Sequence, residues 1–155
     1  MNRSRHPRRI LFVCCAFLVF LCPLWPQHIV PQEYYGEPLS FVGMRLEDLF
    51  ARFGLPQSVY VSRGEERWQD DVVFVYAEGD FFVHSNRVWQ VGLRYAFGIR
   101  VGDLRAVVHL LFGATMQDEG DFMLYHFPGG AWPVSIRFNF ANDRVSAIFV
   151  YRPDF

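Results

Sequence analysis

Two segments of the chain place apolar residues at the spacing of one helix face, which predicts two amphipathic helices. A glycine follows each segment, Gly54 and Gly113, where a left-handed C-terminal cap is favoured, and Pro56 reinforces the first stop. The two apolar stripes are Leu46, Leu49, Phe50 and Phe53, and Val101, Leu104, Val108 and Leu111.

Alternation of apolar and polar residues predicts antiparallel strands after each helix, joined by turns that contain Gly or Asn. A further strand is a candidate over 57–62. The predicted strands cover 72–76, 81–84, 87–95, 122–127, 134–140 and 144–151.

The two halves of this pattern are similar in sequence, which predicts an internal repeat. The segment that begins at Gly43 matches the one that begins at Gly98 at an offset of 55, whereas Phe53-Gly54 matches Phe112-Gly113 at an offset of 59. The second helix is therefore predicted to be one turn longer than the first.

At an offset of 56 the strands also superpose, and the period of two assigns their side chains to two faces. The face predicted to be covered by helices contains Phe82, His84, Trp89, Val91, Leu93, Tyr95, Phe138, Phe140, Val145, Ala147, Phe149 and Tyr151. The opposite, open face contains Gln90, Gly92, Arg94, Arg137, Asn139 and Ser146.

One helix with a three-stranded meander is too small to bury its own apolar side. We therefore expect an α+β fold in which two tandem helix-plus-meander repeats form one antiparallel sheet with both helices on one face. The predicted boundaries are a leader over 1–25, a proline-rich linker over 26–39, and one domain over 40–155 that consists of repeats 40–96 and 97–155.

The N-terminal region has the profile of an export signal. Four arginines lie within the first nine residues, and an apolar run from Ile10 to Trp25 is broken only by Pro23. Three outcomes stay open: an uncleaved anchor, a cleaved signal, and lipid modification of Cys22 under a relaxed rule, since Leu21 precedes it. The distribution of arginine predicts that the domain lies outside the cytoplasmic membrane.

Composition narrows the classes of function. All three cysteines lie in the leader, which excludes a disulfide framework or a thiol nucleophile in the rest of the chain. Every basic residue is arginine, and after the first nine residues the 16 acidic side chains outnumber the basic ones. Such a balance predicts no binding to nucleic acid.

The motif Gly43-Met44-Arg45-x-x-Asp48-Leu49-x-x-x-Phe53-Gly54-x-Pro56 resembles the first helix of the small lipoprotein of the outer-membrane barrel-assembly machinery. The tandem arrangement resembles the β-lactamase-inhibitory-protein-like fold, in which two such units form one curved sheet that binds a partner protein. The resemblance covers residues 40–151. It implies a non-enzymatic envelope protein that works by contact with another protein, and it transfers no binding residues.

Motifs for catalysis, cofactors or metals are weak. The nearest approach to a metal site is His126 with Asp118, Glu119 and Asp121, but a solvated loop is the more ordinary explanation of this acidic group. The acidic pairs Glu65-Glu66 and Asp70-Asp71 could supply two carboxylates for glycan hydrolysis, although they are more typical of a charged surface turn. We therefore expect no enzyme activity, no cofactor and no metal.

Aromatic and arginine side chains, which dominate protein interfaces, supply a candidate contact surface. The alternative for its aromatic members is that they close the two ends of the core. The surface predicted from the sequence consists of Trp68, Tyr76, Gln90, Arg94, Tyr125, Trp132, Arg137 and Asn139.

The expected function is thus a protein-binding or scaffold module of the cell envelope, on the periplasmic side of the cytoplasmic membrane or in the periplasm, with outer-membrane association as an option. The alternative is a domain that binds a small ligand or glycan in the concavity of the sheet, and an envelope hydrolase is a remote third.

Overall fold

The computed structural model describes residues 36–65, 70–113, 117–127 and 132–155. The predicted leader and most of the predicted linker lie outside these ranges. Within the described ranges the chain forms three helices, which are α1 (Gly36–Phe41), α2 (Leu46–Phe53) and α3 (Arg105–Phe112). The strands are β1 (Ser58–Ser62), β2 (Asp71–Val75), β3 (Gly79–His84), β4 (Arg87–Leu93), β5 (Tyr95–Ala96), β6 (Ile99–Arg100), β7 (Gln117–Asp118), β8 (Phe122–Phe127), β9 (Val134–Ala141) and β10 (Arg144–Tyr151).

Eight of these strands form one antiparallel sheet in the order β1-β2-β3-β4-β10-β9-β8-β7. The broad α+β class predicted from the sequence is confirmed. Each half of the sheet runs from its outer edge to its centre along the chain, and β4 pairs with β10 in the middle. The remaining strands, β5 and β6, form a separate short hairpin in the connection between the halves.

One face of the sheet carries the hydrophobic core, and the helices cover it. Leu49 of α2 and Val108 of α3 are fully buried there against residues of the central strands such as Val91 and Ile148. The rings of Phe53 and Phe81 are 5.3 Å apart in the first half, and those of Phe112 and Phe138 are 5.4 Å apart in the second. The contacts involve Phe53 of the predicted first stripe, whereas Phe112 was not part of the predicted second stripe.

The predicted division of the strands between the two faces is wrong for six of the twelve residues assigned to the helix-covered face. Phe82, His84 and Trp89 lie on the open face rather than under the helices, since their neighbours Phe81, Val83 and Val88 are in the core. Ala147, Phe149 and Tyr151 are likewise on the open face. The assignments of Phe138, Phe140, Arg137 and Asn139 are correct.

Two β-bulges and a register difference of one residue explain this error. The bulges lie between Phe82 and Val83 in the β3–β4 register and between Val145 and Ala147 in the β10–β9 register. Val88 O and Val145 O accept equivalent hydrogen bonds from Gly43 N and Gly102 N, which corresponds to an offset of 57 rather than 56. A shift of one residue in register moves each side chain of a strand to the opposite face of the sheet. The extra residue of a bulge reverses that assignment for the part of the strand beyond it.

The prediction that the second helix is one turn longer is also wrong, since α2 and α3 each contain eight residues. Val101 and Leu104 lie before α3 and are exposed. The residues that separate the two sequence offsets, 55 and 59, belong to the β5–β6 hairpin rather than to the helix. Phe97 and Gly98 of this hairpin both have positive φ, as a tight two-residue turn requires.

Helix α1 was not expected, because the proline-rich segment was predicted to be an extended linker as far as residue 39. Pro38 lies in the first turn of α1, where its missing N–H has no helical acceptor to lose. The helix is retained because Phe41 at its end is buried against Phe53 and Phe81. None of the helices in the described ranges is long and apolar enough to cross a membrane.

The loop before each helix binds the β-hairpin of its own half through the same set of hydrogen bonds. Gly43 N donates to Val88 O at 2.7 Å, and Gly102 N donates to Val145 O at 2.7 Å. The guanidinium of Arg87 donates to Gly43 O at 2.9 Å, and that of Arg144 donates to Gly102 O at 2.8 Å. The further matched pairs are Val88 N to Met44 O with Val145 N to Asp103 O, and Leu46 N to Asn86 O with Arg105 N to Asp143 O.

Gly43 and Gly102 offer a matched test of this loop. Both have positive φ, +87° and +101°, so that alanine should cost about 1–2 kcal/mol of unfolding free energy at either position. A Cβ at Gly43 would also lie 2.8 Å from Trp132 Nε1, whereas one at Gly102 meets nothing within 4 Å. Gly43→Ala should therefore be more destabilising than Gly102→Ala, by about 1 kcal/mol or more, in chemical denaturation.

The extra cost should disappear in a Trp132→Ala background, because the obstructing ring is gone. Equal effects of the two glycine substitutions in the otherwise unchanged chain would contradict this account of the Gly43 loop.

Candidate functional site

On the open face of β9, the side chain of Arg137 is fixed by two neighbouring residues. Arg137 of β9 stacks its guanidinium 3.9 Å above the Phe122 ring and donates from Nε to Asn139 Oδ1 at 2.7 Å. These contacts fix the side chain of Arg137 and leave the rest of its guanidinium fork for other acceptors. Arg137 and Asn139 were predicted to lie on this face, and the structure brings them together.

Two aromatic residues predicted for the contact surface are part of the core instead. Tyr76 is only 4% exposed, packs against Phe53 and Phe81, and donates from its hydroxyl to Gly54 O at 3.1 Å. Burial raises the pKa of the Tyr76 phenol. Tyr125 lies on the helix-covered face against Phe112. For both residues the alternative, closure of the ends of the core, is correct.

Trp132 is exposed as predicted, although it is not isolated. Its side chain lies at the Gly43 loop of the other half, and the Arg152 guanidinium is 4.4 Å from its ring centre. Trp132 therefore links the two halves beside the C-terminal segment. Trp68 lies outside the described residues.

A groove of about 590 Å³ lies beside the middle of the open face, where small residues leave room between larger ones. We call it the central groove. Its lining includes the small residues Gly92 of β4 and Ser146 of β10, together with Asp80 and Phe149. Gln90 is half-buried on the same face, paired with Tyr151.

The rim of the central groove is cationic and aromatic. Arg94 is exposed, and the described part of the chain gives its guanidinium no hydrogen bond or ion pair. Arg100 of β6 lies 5.1 Å above the Tyr95 ring of β5, so the short hairpin presents a stacked arginine and tyrosine beside Arg94. The groove thus combines two exposed guanidinium groups with one half-buried carboxylate, Asp80.

A second recess, the Asp71 pocket, lies at the other end of β4 and has a volume of about 900 Å³. Asp71 is 8% exposed and accepts a hydrogen bond from Trp89 Nε1 at 3.0 Å, with His84 Nδ1 at 3.7 Å. Phe155 stacks on Trp89 with the ring planes 7° apart, and it meets the His84 ring edge-on. Burial raises the pKa of the Asp71 carboxyl, and the Trp89 hydrogen bond opposes that effect.

The histidines of the described ranges do not assemble a metal site. His126 Nδ1 is 2.8 Å from Ser135 Oγ on the open face, while Asp118 binds Arg105 and lies 3.6 Å from His109 Nε2. The cluster considered from the sequence is therefore not brought together. Among the described residues no group of three or more His, Cys, Asp or Glu side chains could hold a metal ion.

The sequence reasoning missed the Asp71 pocket and the β5–β6 hairpin. Simple alternation predicts Trp89 in the core because it does not show the bulge beside that residue, and the pair Asp70-Asp71 is typical of a surface turn. The segment from Tyr95 to Arg100, with Gly98 at its turn, is typical of a short hairpin. The match of Gly98 to Gly43 instead predicted this segment as the approach to a longer second helix.

The comparisons with known proteins assign no function to this chain. No family model and no curated protein matches this sequence. The fold is similar to the crystal structure of an extracellular protein containing an SCP domain from Bacillus anthracis strain Ames, with 11% identity and a TM-score of 0.49. That match covers 75% of this chain and only 45% of the other, so it carries no functional inference. Neither family that the sequence motif resembles was found, and that assignment stays a prediction.

The buried carboxylate of Asp71 should give the protein a characteristic pH dependence. Because its pKa is higher in the folded protein than in the unfolded chain, folded Asp71 keeps a proton that the unfolded chain has lost, and stability falls as pH rises through that interval. Asp71→Asn removes this pH-dependent contribution to stability. Its unfolding free energy relative to the parent protein should therefore increase from about pH 4 to pH 7, measured by denaturation at each pH.

Asp154→Asn is the control of opposite sign. The hydrogen bond from Arg152 lowers the pKa of Asp154, so this carboxylate adds stability above its usual pKa and loses it as pH falls. Relative to the parent protein, the stability of Asp154→Asn should therefore decrease as pH rises from below pH 4 and change little above about pH 5. The same trend for both variants would show that Asp71 is not the buried group described above.

Proposed function

We propose that the domain is a non-enzymatic module that binds a protein partner through the central groove and the adjoining open face. The observation that supports this most directly is the exposed cluster of Arg94, Arg100 and Tyr95 on the groove rim. Arginine and tyrosine are enriched among the residues that contribute most to protein interfaces.

The chemistry of the rim indicates the kind of segment that would bind. Two guanidinium groups without carboxylate partners in the described residues favour an acidic segment, since each can donate two hydrogen bonds to one carboxylate. The small residues Gly92 and Ser146 in the groove lining leave room for main chain or small side chains. Asp80 would discriminate against a second carboxylate placed deeper in the groove.

We further propose that the domain arose as a tandem duplication of a helix-plus-meander unit. The matched hydrogen bonds of Gly43 and Gly102, and those of Arg87 and Arg144, support this proposal. So does the order of strands, which is repeated on either side of the β4–β10 pair. The β-lactamase-inhibitory-protein-like fold and the barrel-assembly lipoprotein remain the families that this arrangement resembles.

The proposed location is the outer side of the cytoplasmic membrane or the periplasm, with outer-membrane association as a further option. This proposal depends on the leader sequence, with its arginines before an apolar run. Anchoring, cleavage and lipid modification at Cys22 are the three proposed fates of that leader.

A second candidate function is the binding of a small ligand or glycan in the Asp71 pocket. Its volume of about 900 Å³ lies in the range of small-molecule sites, and Trp89 with Phe155 offers aromatic surface beside polar groups of Asp71 and His84. Saturation-transfer NMR with N-acetylglucosamine oligomers tests this candidate. Signals that disappear in Trp89→Ala and persist in Trp132→Ala would support it.

The protein-binding proposal predicts position-specific crosslinking in intact cells. A photoreactive phenylalanine analogue at position 94 or 95 should crosslink to a discrete protein of the envelope, identified by mass spectrometry. The same analogue at Leu110, which is exposed on α3 on the helix side, should not capture that protein.

Once the partner is purified, Arg94→Gln should weaken its binding by about tenfold or more, because a charged interface contact is lost. Arg45→Gln is the matched control, since Arg45 is an exposed arginine in the helix layer. Equal capture from positions 94 and 110, or equal affinity of the two arginine variants, would contradict the proposed site.

A further inference from the structure

The outer edge of strand β1 is unusually exposed and apolar. Val59, Tyr60 and Val61 are 52%, 46% and 53% exposed, and β1 pairs only with β2 within the described sheet. The strand itself contains no charged residue and no proline. A sheet edge of this kind is a template for another strand, and proteins normally protect it with charge, proline or short length.

The opposite edge of the same sheet has that protection. Within the described residues strand β7 comprises Gln117 and Asp118, and the Asp118 carboxylate forms an ion pair with Arg105 at 3.1 Å. The two edges occupy equivalent places in the strand order, and in the described part of the sheet the β1 edge is the longer and more apolar of the two.

Exposed apolar surface extends from β1 toward α2. Val59 and Val61 stand opposite Phe74 and Val72 on the helix-covered face, and Val72 is itself exposed. Phe50 of α2, also exposed, packs edge-on against Phe74. The apolar patch therefore continues around the edge strand, and a strand added at β1 would bury part of it.

The sequence of β1 identifies the strand that fits. Residues 58–62 read Ser-Val-Tyr-Val-Ser, which is the same in both directions. An antiparallel pair of two identical strands needs this property, because a twofold axis places residue i opposite its mirror position. With the axis at Tyr60, each Val59 faces a Val61, each Ser58 faces a Ser62, and the two Tyr60 side chains meet.

We propose that a second copy of this chain pairs with the first through β1, in antiparallel register centred on Tyr60, to form one continuous sheet across the dimer. The register sets apolar side chains opposite apolar ones on the helix side and serines at both ends. Beyond the strand it sets Arg63 opposite Gln57, so no like charges face each other.

The register makes a direct test by disulfide formation possible. Facing residues of an antiparallel pair have Cα atoms about 4.5–5.5 Å apart, within the span of a disulfide. Tyr60→Cys in the full chain should give a covalent dimer in membranes under mild oxidation. Leu110→Cys is the control, because it keeps the same cysteines in the leader and places the new one at an exposed site on α3. It should give no more covalent dimer than the unmodified chain.

Charge substitutions test the register independently, with the full chain in detergent and the dissociation constant measured by sedimentation. Val59→Lys with Val61→Lys sets lysine opposite lysine twice, and dimer affinity should fall by about tenfold or more. Val59→Lys with Val61→Glu sets lysine opposite glutamate twice, and affinity should stay within about threefold of the parent protein. Both variants alter exposed positions, and circular dichroism should show an unchanged fold.

A monomeric parent chain would overturn the proposal, as would a Val59→Lys/Val61→Glu variant as dissociated as the double-lysine variant. Dimers that resist both pairs of substitutions would show that the copies meet at another surface. Crosslinking of Tyr60→Cys to a different protein would show that the edge serves a foreign strand and would equally refute self-pairing.

Discussion

The antiparallel pairing of β4 with β10 is the contact on which the rest of the fold depends. It joins two four-stranded halves, each of which has one eight-residue helix against its apolar face. Such a half is too small to exclude water from its own core. Across the pair, Leu93 stands opposite Ile148 and Val91 opposite Val150, and all four side chains are buried. The hydrophobic core is thus shared, and the two halves form a single structural unit.

Local signals in the sequence predicted the elements well, because each depends on residues close together in the chain. Glycine at positive φ ends α2 and α3, and alternation defined β8 and β10 to the residue. Features that depend on distant partners were not predictable in this way. Helix α1 depends on the contact of Phe41 with Phe81, which is distant in sequence, and the two bulges are properties of the register between paired strands.

The same distinction applies to the candidate sites. Arg137 and Asn139 were placed correctly because β9 is regular and its alternation holds over the whole strand. Trp89 was misplaced because it lies at the bulge, and so its hydrogen bond with Asp71 could not be anticipated. The contact of Phe155 with Trp89 joins residues far apart in sequence, through a C-terminal segment whose direction is set by the hydrogen bond from Arg152 N to Trp89 O.

The position of α1 links the central groove to whatever precedes it in the chain. Glu37 and Pro38 at the start of α1 line a shallow recess together with Arg94 and Tyr95, so the chain enters the domain beside the groove rim. The ten residues 26–35 can extend over roughly 35 Å at most. A leader retained in the bilayer would therefore act as a short tether that keeps the groove rim, with Arg94 and Arg100, close to the lipid surface. After cleavage of the leader, the groove could bind partners at any distance from the membrane.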